Sequence, residues 1–254
     1  MRKLIAVALV VAGMGTLHAA TRGDVKVLEA SDTIRFVSDK LAREYLLYTL
    51  FPYKRSLKTY MDVQLEELPK SFQDIAVATK DERTKGLLSF FTYQKARADE
   101  IVRSPSPTKE LADEMLEMSR SFVEGSENIA RYHTYDFSFE ENMFMLTRSM
   151  QRHLASLSKY YAAHLLFPDD PDLAKRMEKA RRLFDAELKT INEYRYKDEK
   201  MTRTRDRLNA IWKSTQPYWE KADDKTAMPM VLSLATDQMI DLLDKLGVYH
   251  SKNQ

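Results

Sequence analysis

The sequence predicts an all-α protein made of two tandem four-helix bundles, and two observations lead to this prediction. The first is composition: glycine is scarce, strand-like alternation is almost absent, and the helix formers Leu, Ala, Lys, Glu, Arg and Met dominate the chain. The second is an internal repeat, in which the break Leu50-Phe51-Pro52 returns 116 residues later as Leu166-Phe167-Pro168. The apolar positions that match at the same spacing are Tyr45 and Tyr161, Leu57 and Leu173, Met61 and Met177, and Ile75 and Ile191.

Residues 1–20 are predicted to form a cleaved signal peptide. Arg2 and Lys3 precede an apolar run from Leu4 to Val11, and small residues follow as far as Ala20. This run is too short to span a bilayer comfortably, because about 20 apolar residues are needed. We therefore expect export to the periplasm and a soluble mature protein. An uncleaved N-terminal anchor is the alternative.

Charge and cysteine content exclude several classes of function. The full chain has a formal net charge of +2, and loss of the two basic residues in the signal peptide would leave a neutral protein. Nothing in this balance favours nucleic acid as a partner. The chain has no cysteine, which excludes disulfides, zinc-thiolate sites, haem attachment through CxxCH and cysteine nucleophiles. An exported chain without disulfides must be stabilised by its buried core.

The first predicted bundle, residues 21–135, begins with two helices. Apolar residues three and four positions apart indicate a first helix from about Glu29 to Phe51, which Pro52 ends. The same spacing continues from Leu57 to Ile75 and indicates a second helix. Pro69 lies inside this second helix, which is therefore expected either to kink or to divide into two pieces.

Capping signals mark the next two helices. The spacing Thr79-x-x-Glu82 is that of a capping box and is predicted to start the third helix, which ends at Ser104-Pro105. Ser106-Pro107 is predicted to start the fourth helix, which runs to about Tyr132. An aromatic-rich joint, residues 132–139, then separates the two halves of the chain.

The second predicted bundle, residues 136–254, mirrors the first. Ser138 and Glu141 form another capping box, and Gly247 is expected to stop the last helix. The predicted helices run from about Phe139 to Leu166, Asp170 to Tyr194, Asp198 to Tyr218 and Met228 to Leu246. One elongated helical bundle is the alternative to two tandem bundles.

The sequence contains no signature of catalysis or of a cofactor. It has no Glu-x-x-His, His-Glu-x-x-His, Gly-x-Ser-x-Gly or phosphate-binding glycine loop. Met143, Met145, Met150 and His153 lie close together and include types of side chain that hold copper, but Met145 faces away from Met143 on a helix. We interpret the methionines as flexible core filling. The prediction is a protein that is not an enzyme and binds no metal or cofactor.

The candidate ligand-binding residues are four polar side chains on the two helices that begin the repeats. Arg35 and Ser38 are three residues apart, so they would offer a guanidinium and a hydroxyl to the same bound anion. Arg148 and Arg152, four residues apart, are the candidates in the second half. The first half is predicted to carry the main site, because the repeat spacing replaces its arginine and serine by Gln and Leu. The alternative is that these arginines are solvated or form local ion pairs.

Residues 35–47, RFVSDKLAREYLL, resemble the first-helix signature of the PilJ-type domain, the N-terminal sensor region of type IV pilus methyl-accepting chemotaxis transducers. In the second half, residues 151–154 and 159–161 resemble the same signature shortened by one residue. Where the signature begins with Ala-Gly-Arg-Gln, this chain has residues 31–34, SDTI. The resemblance implies a periplasmic helical bundle for ligand sensing, related to the sensor modules of nitrate-responsive kinases, in which arginines of this helix face an anion.

This resemblance implies a role in signal transduction. The transducers of the family carry transmembrane helices and a cytoplasmic signalling region, which we do not find in the sequence. We therefore expect a free-standing periplasmic sensor-like domain that binds a small ligand and relays its presence to a membrane receptor or sensor kinase. The ligand is expected to be an anion if the arginines hold it. The alternative is a ligand-free helical interaction or scaffolding protein of the periplasm.

Overall fold

The computed structural model describes residues 22–219 and 227–253, and within them the chain is helical without strands. This confirms the all-α prediction. The predicted signal peptide, residues 1–20, lies outside the described residues. In the part of the chain that the structure describes, no helix is both long and apolar enough to cross a membrane. The helices are α1 (Arg22–Leu50), α2 (Ser56–Ala78), α3 (Glu82–Arg103), α4 (Lys109–Arg131), α5 (Phe139–Leu166), α6 (Pro171–Glu193), α7 (Glu199–Trp219) and α8 (Pro229–Lys252).

Two of the predicted helix starts are confirmed. At α5, the Ser138 hydroxyl accepts a hydrogen bond from the backbone N–H of Glu141, whose carboxylate accepts one from the Ser138 N–H at 2.7 Å, so the capping box is complete. At α6, the Asp170 carboxylate caps the first turn and Pro171 is the first helical residue. Local side-chain signals therefore determine where α5 and α6 begin.

The third and fourth helices begin later than predicted. The cap of α3 is Asp81, whose carboxylate accepts a backbone hydrogen bond at 2.8 Å, while Thr79 ends α2. The cap of α4 is Thr108, so that helix does not begin at Ser106-Pro107. In both cases the residue that caps is the one with extended backbone directly before the first helical residue, where its side chain can reach the free N–H groups.

Pro69 and Gly247 both lie inside helices. Pro69 does not divide α2, which continues past it as one helix, and Gly247 does not stop α8, which continues as far as Lys252. A Cβ atom on Gly247 would lie 2.7 Å from the Thr147 hydroxyl oxygen on α5. The glycine therefore permits a close approach between α8 and α5 and does not end the helix.

α1 and α5 are the central helices of the fold. α1 packs against α2, α4 and α5, and α5 packs against α1, α6 and α8, while α3 contacts α2 and α4, and α7 contacts α8. One cluster of buried apolar side chains is centred on α1 to α4 and includes Leu41 and Phe122. A second is centred on α5 to α8 and includes Phe184 and Trp212. α1 begins at Arg22, earlier than predicted, and is buried along most of its length.

Corresponding contacts recur in the two halves of the chain. Asp24, in the first turn of α1, has its Oδ1 atom 2.8 Å from Nδ1 of His133, which follows α4. Glu140, in the first turn of α5 and 116 residues after Asp24, has its Oε2 atom 2.7 Å from Nδ1 of His250, near the end of α8. In each half, the same kind of contact thus joins the first helix to the end of the fourth.

Candidate functional site

The packing of α1 against α5 brings three arginines to one buried carboxylate. Nη2 of Arg35 lies 3.0 Å from Oδ1 of Asp32, close enough for a hydrogen bond. Nη1 of Arg152 lies 3.6 Å from the same oxygen, and Nε of Arg148 lies 3.7 Å from the other. The Asp32 side chain is only 6% exposed. Three guanidinium groups thus share the Asp32 carboxylate in the seam between α1 and α5, and the charges of Glu127 and Asp39 also act on Arg35.

A groove of about 760 Å³ lies over this seam and contains two of the three arginines. Arg35 from α1 and Arg152 from α5 form part of its floor, α4 supplies one wall and α6 the other. Its size is within the range of about 300–1,000 Å³ that is usual for small-molecule sites. The groove is therefore large enough for a metabolite-sized ligand in contact with both guanidinium groups.

The Nε atoms of Arg35 and Arg152 are buried and, within the described residues, have no hydrogen-bond partner. Burial lowers the pKa of Arg35, the Asp32 carboxylate opposes this change, and the nearby Arg152 lowers the pKa further. A buried N–H donor without an acceptor is rare, because it has lost its water and gained nothing in return. Both arginines line the groove, and each retains an unused, buried Nε donor.

The other two candidate residues lie outside the lining of the groove. Ser38 donates its hydroxyl hydrogen to the backbone carbonyl of Arg35 at 3.0 Å, inside its own helix. Arg148 reaches across to α1, where it donates to the Glu29 carbonyl at 3.3 Å and to the Thr33 hydroxyl. Helical spacing alone assigns the two candidate pairs, Arg35 with Ser38 and Arg148 with Arg152, to separate halves. Packing of α1 against α5 joins Arg35, Arg148 and Arg152 in one cluster and leaves Ser38 apart.

A buried ion pair that we did not predict lies beside the groove. The Lys159 ammonium on α5 donates to the Asp39 carboxylate on α1, and the Ser119 hydroxyl on α4 donates to the same oxygen at 2.9 Å. Burial has the largest single effect on the pKa of Lys159 and would lower it, but the charge of Asp39, the neighbouring Tyr160 and the hydrogen bonds to both together outweigh burial and raise the pKa. Of the two partners, Asp39 lines the groove and Lys159 lies behind it.

A second buried cation crosses the seam in the opposite direction. Arg43 on α1 is fully buried and pairs with the neighbouring Glu44 and, at 2.8 Å, with Asp237 on α8. Arg43 and Lys159 are 116 residues apart and so occupy the same position in the repeat. Helical periodicity gives no signal for these pairs, because it identifies the apolar face of a helix and does not report which charged residues a further helix covers.

The arrangement can hold an anion through two guanidinium groups with unused donors. Among residues 22–219 and 227–253, no three His, Asp or Glu side chains are grouped so as to hold a metal ion. Comparison with protein-family models, with curated proteins and with solved structures finds no match to the chain. The geometry of the groove is therefore the main guide to function.

Proposed function

We propose that this chain is a periplasmic sensor-like helical domain that binds a small anion in the groove between α4 and α6 and relays its presence to a membrane receptor or sensor kinase. The observation that carries the proposal is the pair of buried, unpartnered Nε atoms on Arg35 and Arg152. An oxyanion at the floor of the groove would accept hydrogen bonds from both, and such charge-assisted bonds are among the stronger ones in proteins. The PilJ-type resemblance of residues 35–47 agrees with this role.

The charge around Asp32 supports the same proposal. Three guanidinium groups surround a single carboxylate, and partly buried charges are costly unless an opposite charge lies close to them. A bound anion would offset part of the remaining positive charge. In its absence the charge of Arg152 adds to burial, which is the larger effect, in lowering the pKa of Arg35.

The experiment that tests the proposal is a thermal-shift screen of small anions against the mature chain. A ligand at one hundred times its Kd should stabilise the folded state by about 2.7 kcal/mol. Arg35→Ala and Arg152→Ala should each weaken binding of an anion that scores in the screen by about 1.5–3 kcal/mol, the usual value for a hydrogen bond to a charged group.

Arg148→Ala is the matched control, because it removes a guanidinium from the Asp32 cluster but not from the groove. It should change stability more than affinity. The proposal fails if no anion raises the melting temperature, or if Arg148→Ala weakens binding as much as Arg35→Ala. A blank screen combined with a membrane protein recovered by crosslinking would instead favour a ligand-free interaction protein.

We also propose that the helices form two tandem four-helix bundles, residues 21–135 and 136–254. Support comes from the two clusters of buried apolar side chains and from the central positions of α1 and α5. A protease site inserted in residues 132–138 tests this. Two helical fragments that stay folded after separation are expected, whereas unfolding of both would favour one elongated bundle.

Cell fractionation and the mass of the mature chain test export and removal of residues 1–20.

A further inference from the structure

The two walls of the groove carry opposite charges that do not pair with each other. α4 contributes Glu124, Glu127 and Arg131, and α6 contributes Arg176 and Lys179. Arg131 donates a hydrogen bond to the Asn128 side chain at 3.3 Å. In the described part of the chain, the two glutamates, Arg176 and Lys179 form no ion pair and no hydrogen bond. Glu187, also on α6, is already paired with His153 at 2.7 Å. The groove therefore presents unpaired carboxylates on one side of the two arginines and unpaired cations on the other.

The acidic wall lies close to the arginine floor. The charge of Glu127 is near enough to Arg35 to favour its protonated form. A simple anion bound to Arg35 and Arg152 would therefore stand beside an unpaired carboxylate of its own sign, and the repulsion would reduce its affinity. A ligand that carries a positive group next to its negative group would turn this repulsion into attraction.

We infer that the ligand is a small zwitterion of the amino-acid type. Arg35 and Arg152 hold its carboxylate, and Glu124 and Glu127 hold its ammonium group. This inference rests on the proposed function, because it names the class of ligand for the same groove. It also gives Glu124 and Glu127 a role, which binding of a simple anion would not: they select zwitterions over simple anions of similar size.

The inference is tested with four probes that have unbranched chains of five or six carbon atoms. Norleucine and ε-aminocaproate are zwitterions with different charge separations, caproate has the carboxylate alone, and pentylamine has the ammonium alone. Isothermal titration calorimetry of the mature chain should find one zwitterion that binds at least about tenfold tighter than caproate, which corresponds to about 1.4 kcal/mol. Pentylamine should bind more weakly than both the preferred zwitterion and caproate, because the arginines repel its ammonium group.

Glu127→Gln removes the wall charge that acts on Arg35 without changing the size of the side chain, and it leaves Glu124 in place. In this variant, the affinity for the preferred zwitterion should fall towards that of caproate, while caproate binds as well as before or better. The control is Glu117→Gln, which alters a glutamate of the same helix that pairs with Arg120 and does not line the groove. It should leave all affinities unchanged. Arg35→Ala should weaken caproate and the zwitterion alike.

The outcomes separate this inference from the proposed function. If caproate binds as tightly as both zwitterions, or if Glu127→Gln leaves the preference intact, the ligand is a simple anion and only the zwitterion inference is overturned. The same holds if none of the four probes binds but the anion screen finds a ligand that depends on Arg35. If neither the probes nor the screen gives binding, both proposals fall.

Discussion

The buried pair between Asp39 and Lys159 should make a large contribution to stability through charge compensation. The two side chains are 3% and 1% exposed, so removal of one partner leaves the other charged and away from water. Breaking a buried pair in this way usually costs about 3–5 kcal/mol. Asp39→Ala leaves the ammonium with the Ser119 hydroxyl, 3.2 Å away, and the neutral Tyr160 side chain, but with no carboxylate. Lys159→Met leaves the Asp39 carboxylate with the Ser119 hydroxyl. We expect each single variant to lose about this amount.

The double variant separates charge compensation from packing. The double variant leaves no uncompensated charge. Its loss of unfolding free energy should therefore be smaller than the sum of the two single losses, and the difference should be about 0.5–3 kcal/mol. Urea unfolding followed by circular dichroism measures all four free energies of unfolding. Strict additivity would refute the reasoning, and so would single variants that lose under about 1 kcal/mol, a value typical of a solvated pair.

The pH dependence of this pair has a definite sign. The pKa of Lys159 is raised in the folded state, so its stabilising contribution is fully present below its ordinary pKa of about 10.4. That contribution is lost as the pH rises through the higher pKa of the folded state. The difference in unfolding free energy between the wild type and Lys159→Met should therefore be constant near neutral pH and shrink only in strongly alkaline buffer.

Two further predictions concern packing and ionisation elsewhere in the first half. Gly125→Ala should cost about 1–3 kcal/mol in urea unfolding, because its Cβ would lie 2.6 Å from the buried ring of Phe91. Gly86→Ala, with nothing within 4 Å, should instead stabilise α3 by about 0.5–1 kcal/mol; equal effects would contradict the packing argument. Burial raises the pKa of Tyr45 to about 12, so its contribution is present below its ordinary pKa of about 10 and lost as the pH rises towards 12. Tyr45→Phe should accordingly lose less stability than the wild type between these two pH values, and an identical alkaline loss would show that Tyr45 is not the group responsible.

The helices were predictable because their signals are local. Apolar spacing reports burial on one face, and caps such as Ser138 and Asp170 act on N–H groups within the same turn. The predicted end of α8 at Gly247 was wrong, because glycine serves both to end helices and to let helices approach each other closely. Only the contact with Thr147 on another helix distinguishes the two uses, and no local pattern reports that contact.

The candidate groove was predictable only in part. Arg35 and Arg152 could be named from their helix faces, but helical periodicity does not state that α1 packs against α5. For this reason the shared carboxylate of Asp32 and the acidic wall on α4 were missed. The buried charges of Asp39 and Lys159 were missed for a related reason: a helix enclosed by three neighbours has almost no solvated flank on which such residues could lie.

Each half of the chain contributes one buried cation that pairs with a carboxylate of the other half, Arg43 from α1 and Lys159 from α5. This affects how the two halves depend on each other. Two identical half-length chains could form this seam only as a dimer with a two-fold axis, and the amount of dimer would vary with concentration. In the single chain the joint at residues 132–138 keeps the halves together at any dilution. Arg43 now pairs with carboxylates and Lys159 with a carboxylate and a hydroxyl, so neither central helix could replace the other. A duplication that began with interchangeable halves would thus have become a seam between two different surfaces, each matched to one partner only.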